Sequence, residues 1–383
     1  IFTPFFLVFS LYFLFKGLRN KKTIDLIIGG GIFGLGFHTY ISFRLAIFLL
    51  GFLFIAWFLI YWKEKNLKKF FIFSFLIFVS IVIVALPLGL YFMEYPEHFI
   101  SRATGVSVFS QPNPIKSFLI SFAAHLGMFN FYGDPNWRHN IAASPLLFWP
   151  IGILFLTGFA ISIKKSLFFL KNKDYKQFLV FSTIIVWLLV MILPSALTYE
   201  GIPHALRSIG AIPPAFILAA LGAEFIYRKI KEKTQKQLTP VLFLILFVCL
   251  GWFTISEYNR YFVIWAKNPA MKGAFTQDLF DIGNYLNSLP DNVQIYVVVN
   301  ELEYPLYGIS IPGQTPMFIE YSKFGKTRAN YIHAQDLDKI KLDDKDTVII
   351  PIYKNSLFNK LEEKFPEAEI TEKENFVIFE IKK

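Results

Sequence analysis

FFIFSFLIFVSIVIVALPLGLY, residues 70–91, runs for 22 residues without a charged side chain. A bilayer core about 30 Å thick takes about 20 apolar helical residues to cross. One such run also fits the buried helix of a soluble protein. Eight in succession do not, and the chain offers them at 1–15, 24–41, 43–62, 70–91, 145–163, 177–197, 207–227 and 239–256. The composition agrees. Hydrophobic residues make up 55% and charged residues 17%, where a soluble domain carries about 25% charged. The expected architecture is a polytopic α-helical membrane protein of about eight transmembrane helices.

The loops around residues 70–91 give this array a direction. KEKNLKK (63–69) precedes it, and KGLRNKK (16–22), KKSLFFLKNKDYK (164–176) and RKIKEKTQK (228–236) sit at the equivalent places. Together these four loops hold 18 Lys/Arg and 3 Asp/Glu. The alternate loops are not enriched: residues 92–144 hold 3 basic and 3 acidic side chains, and 198–206 hold Glu200 alone. Cytoplasmic loops carry the excess of Lys and Arg, so every second loop is expected inside and residues 92–144 and 198–206 outside. The net charge of +10 then reflects topology and contact with anionic lipid. It is not a nucleic-acid footprint, and no nucleic-acid partner is expected. Ile115–Phe131 (IKSFLISFAAHLGMFNF) is also apolar, but a span there would move five lysines of 164–176 outside. It is expected to be a helix that lies in the outer interface or re-enters it.

Beyond Glu257 the composition changes: residues 257–383 hold 15 basic and 19 acidic side chains. A transmembrane region over 1–257, a linker over 258–275 and a small extracytoplasmic α/β domain over 276–383 are expected. Thr276–Ser288 reads as an amphipathic helix with Thr276 as N-cap and Pro290 as terminator. VQIYVVV (293–299), TVIIP (347–351) and FVIFEI (376–381) read as strands, and Ser356–Phe365 as a helix. The chain opens on Ile1 inside an apolar run, so further sequence is expected to precede it. Its one cysteine, Cys249, lies in an apolar run and forms no intrachain disulfide.

Two stretches imitate known chemistry. DLIIGGGIFGLG (25–36) places Gly29, Gly31 and Gly34 in a G-x-G-x-x-G spacing. A dinucleotide fold needs a strand before that turn and an acidic residue about 20 positions later, and neither is present. Gly30 and Gly34 instead form a G-x-x-x-G face suited to close helix packing. Asp336, Asp338, Asp344 and Asp346 alternate with Lys339, Lys341 and Lys345, as on a solvated surface. No metal or other cofactor is expected.

Polar residues gather instead on the outer loops. FHTYISFR (37–44) supplies His38, Tyr40 and Arg44; SR (101–102) supplies Arg102. GDPNWRHN (133–140) supplies Asp134, His139 and Asn140, and YEGIPHALR (199–207) supplies Glu200, His204 and Arg207. Arginine presents a planar fork of donors suited to phosphate, and histidine a hydrogen bond or a proton. At the depth of lipid headgroups this points to a lipid-linked phosphate ligand.

In these segments, GLGFHTYISFR (34–44), SRATGVSVFS (101–110), GDPNWRHNIAASPLL (133–147) and PHALRSIGAIPP (203–214), the chain resembles the GT-C type membrane glycosyltransferases. The nearest likeness is to bacterial relatives of dolichyl-phosphate-mannose protein mannosyltransferases, aminoarabinose transferases and rhizobial galacturonosyltransferases. The resemblance covers about 1–257. It implies an inverting transfer of a sugar from a polyprenyl-phosphate donor to a lipid, glycan or protein acceptor at the outer face of a bacterial plasma membrane. It further implies Arg44, Arg102, Arg207 and His204 as donor-phosphate contacts. His38, Tyr40, Asp134, His139, Asn140 and Glu200 would be substrate contacts. The catalytic Asp of such enzymes is expected in a loop before residue 1. The competing reading is a transporter or flippase of lipid-linked sugars, which requires polar groups at mid-span.

Overall fold

The computed structural model describes residues 2–99, 106–233, 239–299, 310–352 and 355–383. The chain divides into two compact units, Ile1–Trp265 and Ala266–Lys383.

The first unit is helical. α1 (Thr3–Asn20) and α2 (Thr23–Gly36) are joined by a two-residue turn in which Lys21 takes a left-handed conformation, φ 54°. Small residues bring them together. A Cβ on Gly29 would meet Leu14 Cγ at 2.9 Å, and Ser10 Oγ donates to the Gly29 carbonyl at 2.9 Å. On another face, Gly30 and Gly34 lie against α4 (Leu67–Glu94), where added Cβ atoms would meet the Ile77 and Ile81 carbonyls at 2.8 and 2.9 Å. The glycine-rich stretch is thus one uninterrupted helix whose glycines serve packing, and the dinucleotide reading lapses.

Among the described residues, five segments are long and apolar enough to cross a membrane: Ile41–Lys63, Leu67–Glu94, Trp149–Lys171, Tyr175–Ala196 and Leu206–Glu232. This makes the chain a helical membrane protein, but with five such helices where eight are expected from sequence. The differences have physical causes. α1 spends its last turns on Lys16, Arg19 and Asn20. α2 has only 14 residues, about 21 Å of helix against a core of about 30 Å. The last expected span forms a 20-residue helix, Thr239–Tyr258, which is outside the five. α3 (Ala46–Lys63) follows a short 3-10 turn at Ile41–Leu45, and α5 (Pro114–Gly127) is again 14 residues long, too short to cross. α6 (Trp149–Lys171), α7 (Tyr175–Ala196) and α8 (Ile212–Lys233) pack together, and α7 also meets α3 and α5.

The second unit is a five-stranded mixed sheet in the order β2-β1-β3-β5-β4. β1 (Gln294–Val299) pairs in parallel with β2 (Asn330–His333) and β3 (Thr347–Ile352). β5 (Val377–Ile381) runs antiparallel to β3 and to β4 (Glu369–Glu372). Alternation sorts the side chains onto two faces. Ile295, Val297 and Val299 pack with Leu279, Ile282 and Leu286 of the helix Gln277–Ser288. Tyr296 and Val298 pack with Leu357 and Leu361 of the helix Asn355–Lys364. The three strands and two helices read from sequence are present; β2 and β4, four residues each with none fully buried, carry too little apolar pattern to be read. Thr276 precedes its helix as expected, but at φ 52° its side chain makes no capping bond.

One ionic contact fixes this unit. Glu320, fully buried, accepts from the Ala329 N–H at 3.1 Å and lies 3.7 Å from Arg328 Nε. Arg328 also donates to the Leu286 and Leu289 carbonyls at 2.5 and 3.1 Å and covers the Phe324 ring. Removing one partner of a fully buried pair costs about 3–5 kcal/mol. Arg328→Ala leaves Glu320 with a 0% exposed side chain and no cation beside it, so it is expected to cost about 3 kcal/mol, the lower end of that range because the pair is 3.7 Å apart. Faster hydrogen exchange in 277–289 and 311–333 of the full chain would report it; unchanged exchange there would refute it.

Candidate functional site: a histidine-carboxylate cluster

Asp134 organises the loop that follows α5. Its side chain is 2% exposed, yet four groups approach it. Oδ1 accepts the Asn136 N–H at 2.8 Å, an Asx turn that starts the 134–140 loop. Oδ2 accepts the Ala205 N–H at 2.7 Å and meets His139 Nδ1 at 2.8 Å. His204 Nδ1 stands at 4.0 Å. Each carboxylate oxygen already accepts a backbone N–H, so Asp134 is the acceptor of the third contact as well and His139 Nδ1 is its donor.

The other two histidines are fixed by similar logic. His125, fully buried on α5, sits 2.7 Å from the Ser121 carbonyl through Nδ1, which therefore donates. Its Nε2 accepts the His204 N–H at 2.9 Å. This bond ties α5 to the 198–206 loop, and burial pushes the His125 pKa down. His204 Nδ1 accepts from the Arg207 N–H at 3.4 Å, and its ring lies 4.7 Å from that of His139. Burial, then Arg207, then His139 bring its pKa down to about 4, against the pull of Asp134. Ser195 Oγ donates to the His204 carbonyl at 2.9 Å and receives Ser208 Oγ at 2.7 Å, locking the loop to the end of α7.

Arg207 spreads its fork over this loop. Nη1 donates to Thr198 Oγ1 at 2.7 Å and to the Glu200 carbonyl at 3.2 Å, and Nη2 to Glu200 Oε2 at 3.3 Å. A single antiparallel bridge, Ser107 to Thr198, ties in the segment after 105, with Val108 N–H on the Leu197 carbonyl at 3.0 Å. The turn Ile41–Leu45 packs against Leu206–Ala211. Described segments of the three outer loops read from sequence, 37–45, 106–144 and 198–211, therefore meet in backbone terms.

Their side chains meet only in part. Asp134, His139, His204, Arg207 and Glu200 form one connected group. Asn140 donates to the Ser144 carbonyl at 2.7 Å and shapes the same loop. His38 instead bonds the Val84 carbonyl at 2.9 Å. Arg44 bonds the Phe99 carbonyl at 2.8 Å and covers the rings of Phe92 and Phe99. Both are spent on α4 and its end. Tyr40 is half-buried beside them, and Arg102 lies outside the described residues. His125, Ser195, Thr198 and Ser208 were not singled out in the sequence. A lone His in the apolar ISFAAHLG stretch was the only signal for His125.

Donor atoms of Asp134, His139 and His204 lie within 4.8 Å of one another. The shortest approach, 2.8 Å, is a hydrogen bond. A zinc ion about 2.0–2.1 Å from each donor would need them farther apart, and two backbone N–H groups already occupy the carboxylate. The geometry is that of a hydrogen-bonded carboxylate. Beside it opens a cavity of about 300 Å³ lined by Arg138, His139, Asn140, Glu257, Arg260, Tyr261 and Trp265, among others. A larger one, about 740 Å³, is mainly apolar, lies among Leu11, Tyr12, Lys16, Lys176 and Trp187, and includes none of these site residues.

No protein-family model, curated protein or solved structure matches the chain.

The histidine environment predicts a pH dependence. An unfolded histidine titrates near 6.5 and His204 near 4, so between those values the unfolded chain binds a proton that the folded chain refuses. Stability of the helical unit is full above the upper value and falls as pH drops toward the lower, by up to about 1.4 kcal/mol per unit. His204→Asn, which retains an acceptor for the Arg207 N–H, is expected to flatten the slope in thermal melts from pH 7 to 4. The contribution of His125 remains. A slope identical to wild type would refute the assignment.

Proposed function

We propose that the chain belongs to a membrane glycosyltransferase that moves a sugar from a polyprenyl-phosphate donor to a lipid, glycan or protein acceptor, with inversion at the anomeric carbon. The observation that carries this reading is the gathering of Asp134, His139, His204, Arg207 and Glu200, from two loops between apolar helices, into one polar cluster. Charge alternation along the loops supports an outer location for that cluster and for the 276–383 domain, in a bacterial plasma membrane. Arg207 is the phosphate contact of the described residues, trading its bond to Glu200 for the departing phosphate. Arg102 is assigned the same role by the resemblance of its segment.

The test is release of polyprenyl phosphate from a labelled polyprenyl-phosphate sugar by the full-length protein in nanodiscs. Arg207→Ala and Arg102→Ala are each expected to lower turnover about 100-fold, the scale of losing one donor that stabilises developing charge. Near-normal rates in both folded variants would sink the phosphate assignment.

A further inference from the structure

Of the three clustered histidines, two are consumed. His125 donates through Nδ1 and accepts through Nε2. His204 accepts at Nδ1 from the Arg207 N–H, and its low pKa keeps it neutral. His139 differs. Its Nδ1 proton is fixed on Asp134, so neutral His139 holds an unshared pair on Nε2. Among the described residues that nitrogen has no hydrogen-bond partner. Because the buried carboxylate occupies the Nδ1 edge, the opposite edge is the one available to the cavity that the ring lines.

The cavity suits a hydroxylated ring. Trp265 Nε1 donates to the Trp137 carbonyl at 2.8 Å, and the Trp265 and Tyr261 rings stack 4.8 Å apart, giving a fixed aromatic wall. Glu257 and Arg260 pair at 2.9 Å and supply an acceptor and donors at the same mouth. Residues 259–265 form a π-helical turn, a local irregularity often found at functional sites.

We propose that Asp134 and His139 form a general-base dyad for an acceptor hydroxyl held in this cavity, which places a proton acceptor within the chain itself. This rests on the transferase reading. The hydroxyl oxygen bonds to the anomeric carbon, and the bond from that carbon to the donor phosphate breaks, leaving its electron pair on the phosphate. The hydroxyl proton passes to His139 Nε2, and the imidazolium is stabilised by Asp134 until water takes the proton. His139 is the catalytic residue and Asp134 positions it.

Two measurements on the full-length protein in nanodiscs test the dyad. In the first, diethyl pyrocarbonate with peptide mapping reads the nucleophilicity of each histidine without any transfer assay. His139 is expected to react before His125 and His204, and Asp134→Asn to remove that preference. A His139 no faster than the other two overturns the proposal. In the second, labelled polyprenyl-phosphate sugar is the probe. His139→Ala is expected to lower kcat about 100-fold with donor KM unchanged, and added imidazole to restore part of the rate. Turnover within twofold of wild type, or a loss confined to KM without rescue, overturns the base role and leaves the transferase reading intact. A reactive His139 in a protein that turns over no such donor overturns the transfer step and the transferase reading, while the basic nitrogen itself stands.

Discussion

Asp134→Ala is expected to lower the unfolding free energy of the helical unit by about 3–5 kcal/mol, the scale of stranding partners around a buried charge. The size follows from what the carboxylate holds. Its two oxygens take the Asn136 N–H, the Ala205 N–H and His139 Nδ1 at 2.7–2.8 Å. Hydrogen bonds to a charged group are worth about 1.5–3 kcal/mol each, and after truncation all three donors lose the acceptor that the buried carboxylate supplied. The Ala205 bond also joins the 134–140 loop to the 198–206 loop, so its loss loosens both. Asp134→Asn keeps an acceptor oxygen but turns an NH2 toward donors, and is expected to fall between alanine and wild type. Thermal melts of the three proteins in the same detergent check the order. An alanine variant that melts with wild type would mean that Asp134 holds nothing together.

The reach of the sequence differed between elements for identifiable reasons. Apolar runs identify a helical membrane protein because lipid imposes length and composition on each span. They overstate the number of spans because a low density of charge continues where helices end: 24–41 has one charged residue, Asp25, yet α2 stops at Gly36 and a new turn starts at Ile41. In the second unit the central strands were readable from Val and Ile runs, whereas edge strands such as ITE at 370–372 have no such run. Within the site, sequence placed Asp134, His139, His204 and Arg207 in two loops without saying that they touch. The contact depends on a backbone N–H at Ala205, which has no signature in residue type. It depends equally on His125, 79 positions before His204. The same limit explains Arg44 and His38. Their chemistry suits phosphate, but His38 is met by the Val84 carbonyl of α4 and Arg44 by the Phe99 carbonyl.

Gly222→Leu is expected to destabilise the helical unit by more than about 3 kcal/mol, beyond the usual overpacking cost, because nothing at that crossing can yield. A Cβ on Gly222 would fall on the Leu154 carbonyl oxygen and stand 2.9 Å from the Gly158 nitrogen. A Cβ on Gly158 would fall on the Leu218 carbonyl and stand 2.9 Å from the Gly222 nitrogen. Both neighbours are backbone, so α6 and α8 must separate as rigid bodies. In lipid, helices associate through close packing rather than escape from water, and separation forfeits the term that joined them. Gly158→Leu should cost a similar amount and the double variant much less than the sum, since one crossing is broken twice. Gly89 provides the control: a Cβ there meets nothing within 4 Å, so Gly89→Leu is expected to be neutral or to gain from helix propensity. The effect should reach the site, because α8 starts directly after the 206–211 turn that bears Arg207. Equilibrium unfolding of the four variants, with diethyl pyrocarbonate mapping of His139 alongside, separates the outcomes. If Gly222→Leu unfolds with Gly89→Leu, the close crossing is absent. If it unfolds early but keeps the fast-reacting His139, the loop cluster holds its geometry independently of α8.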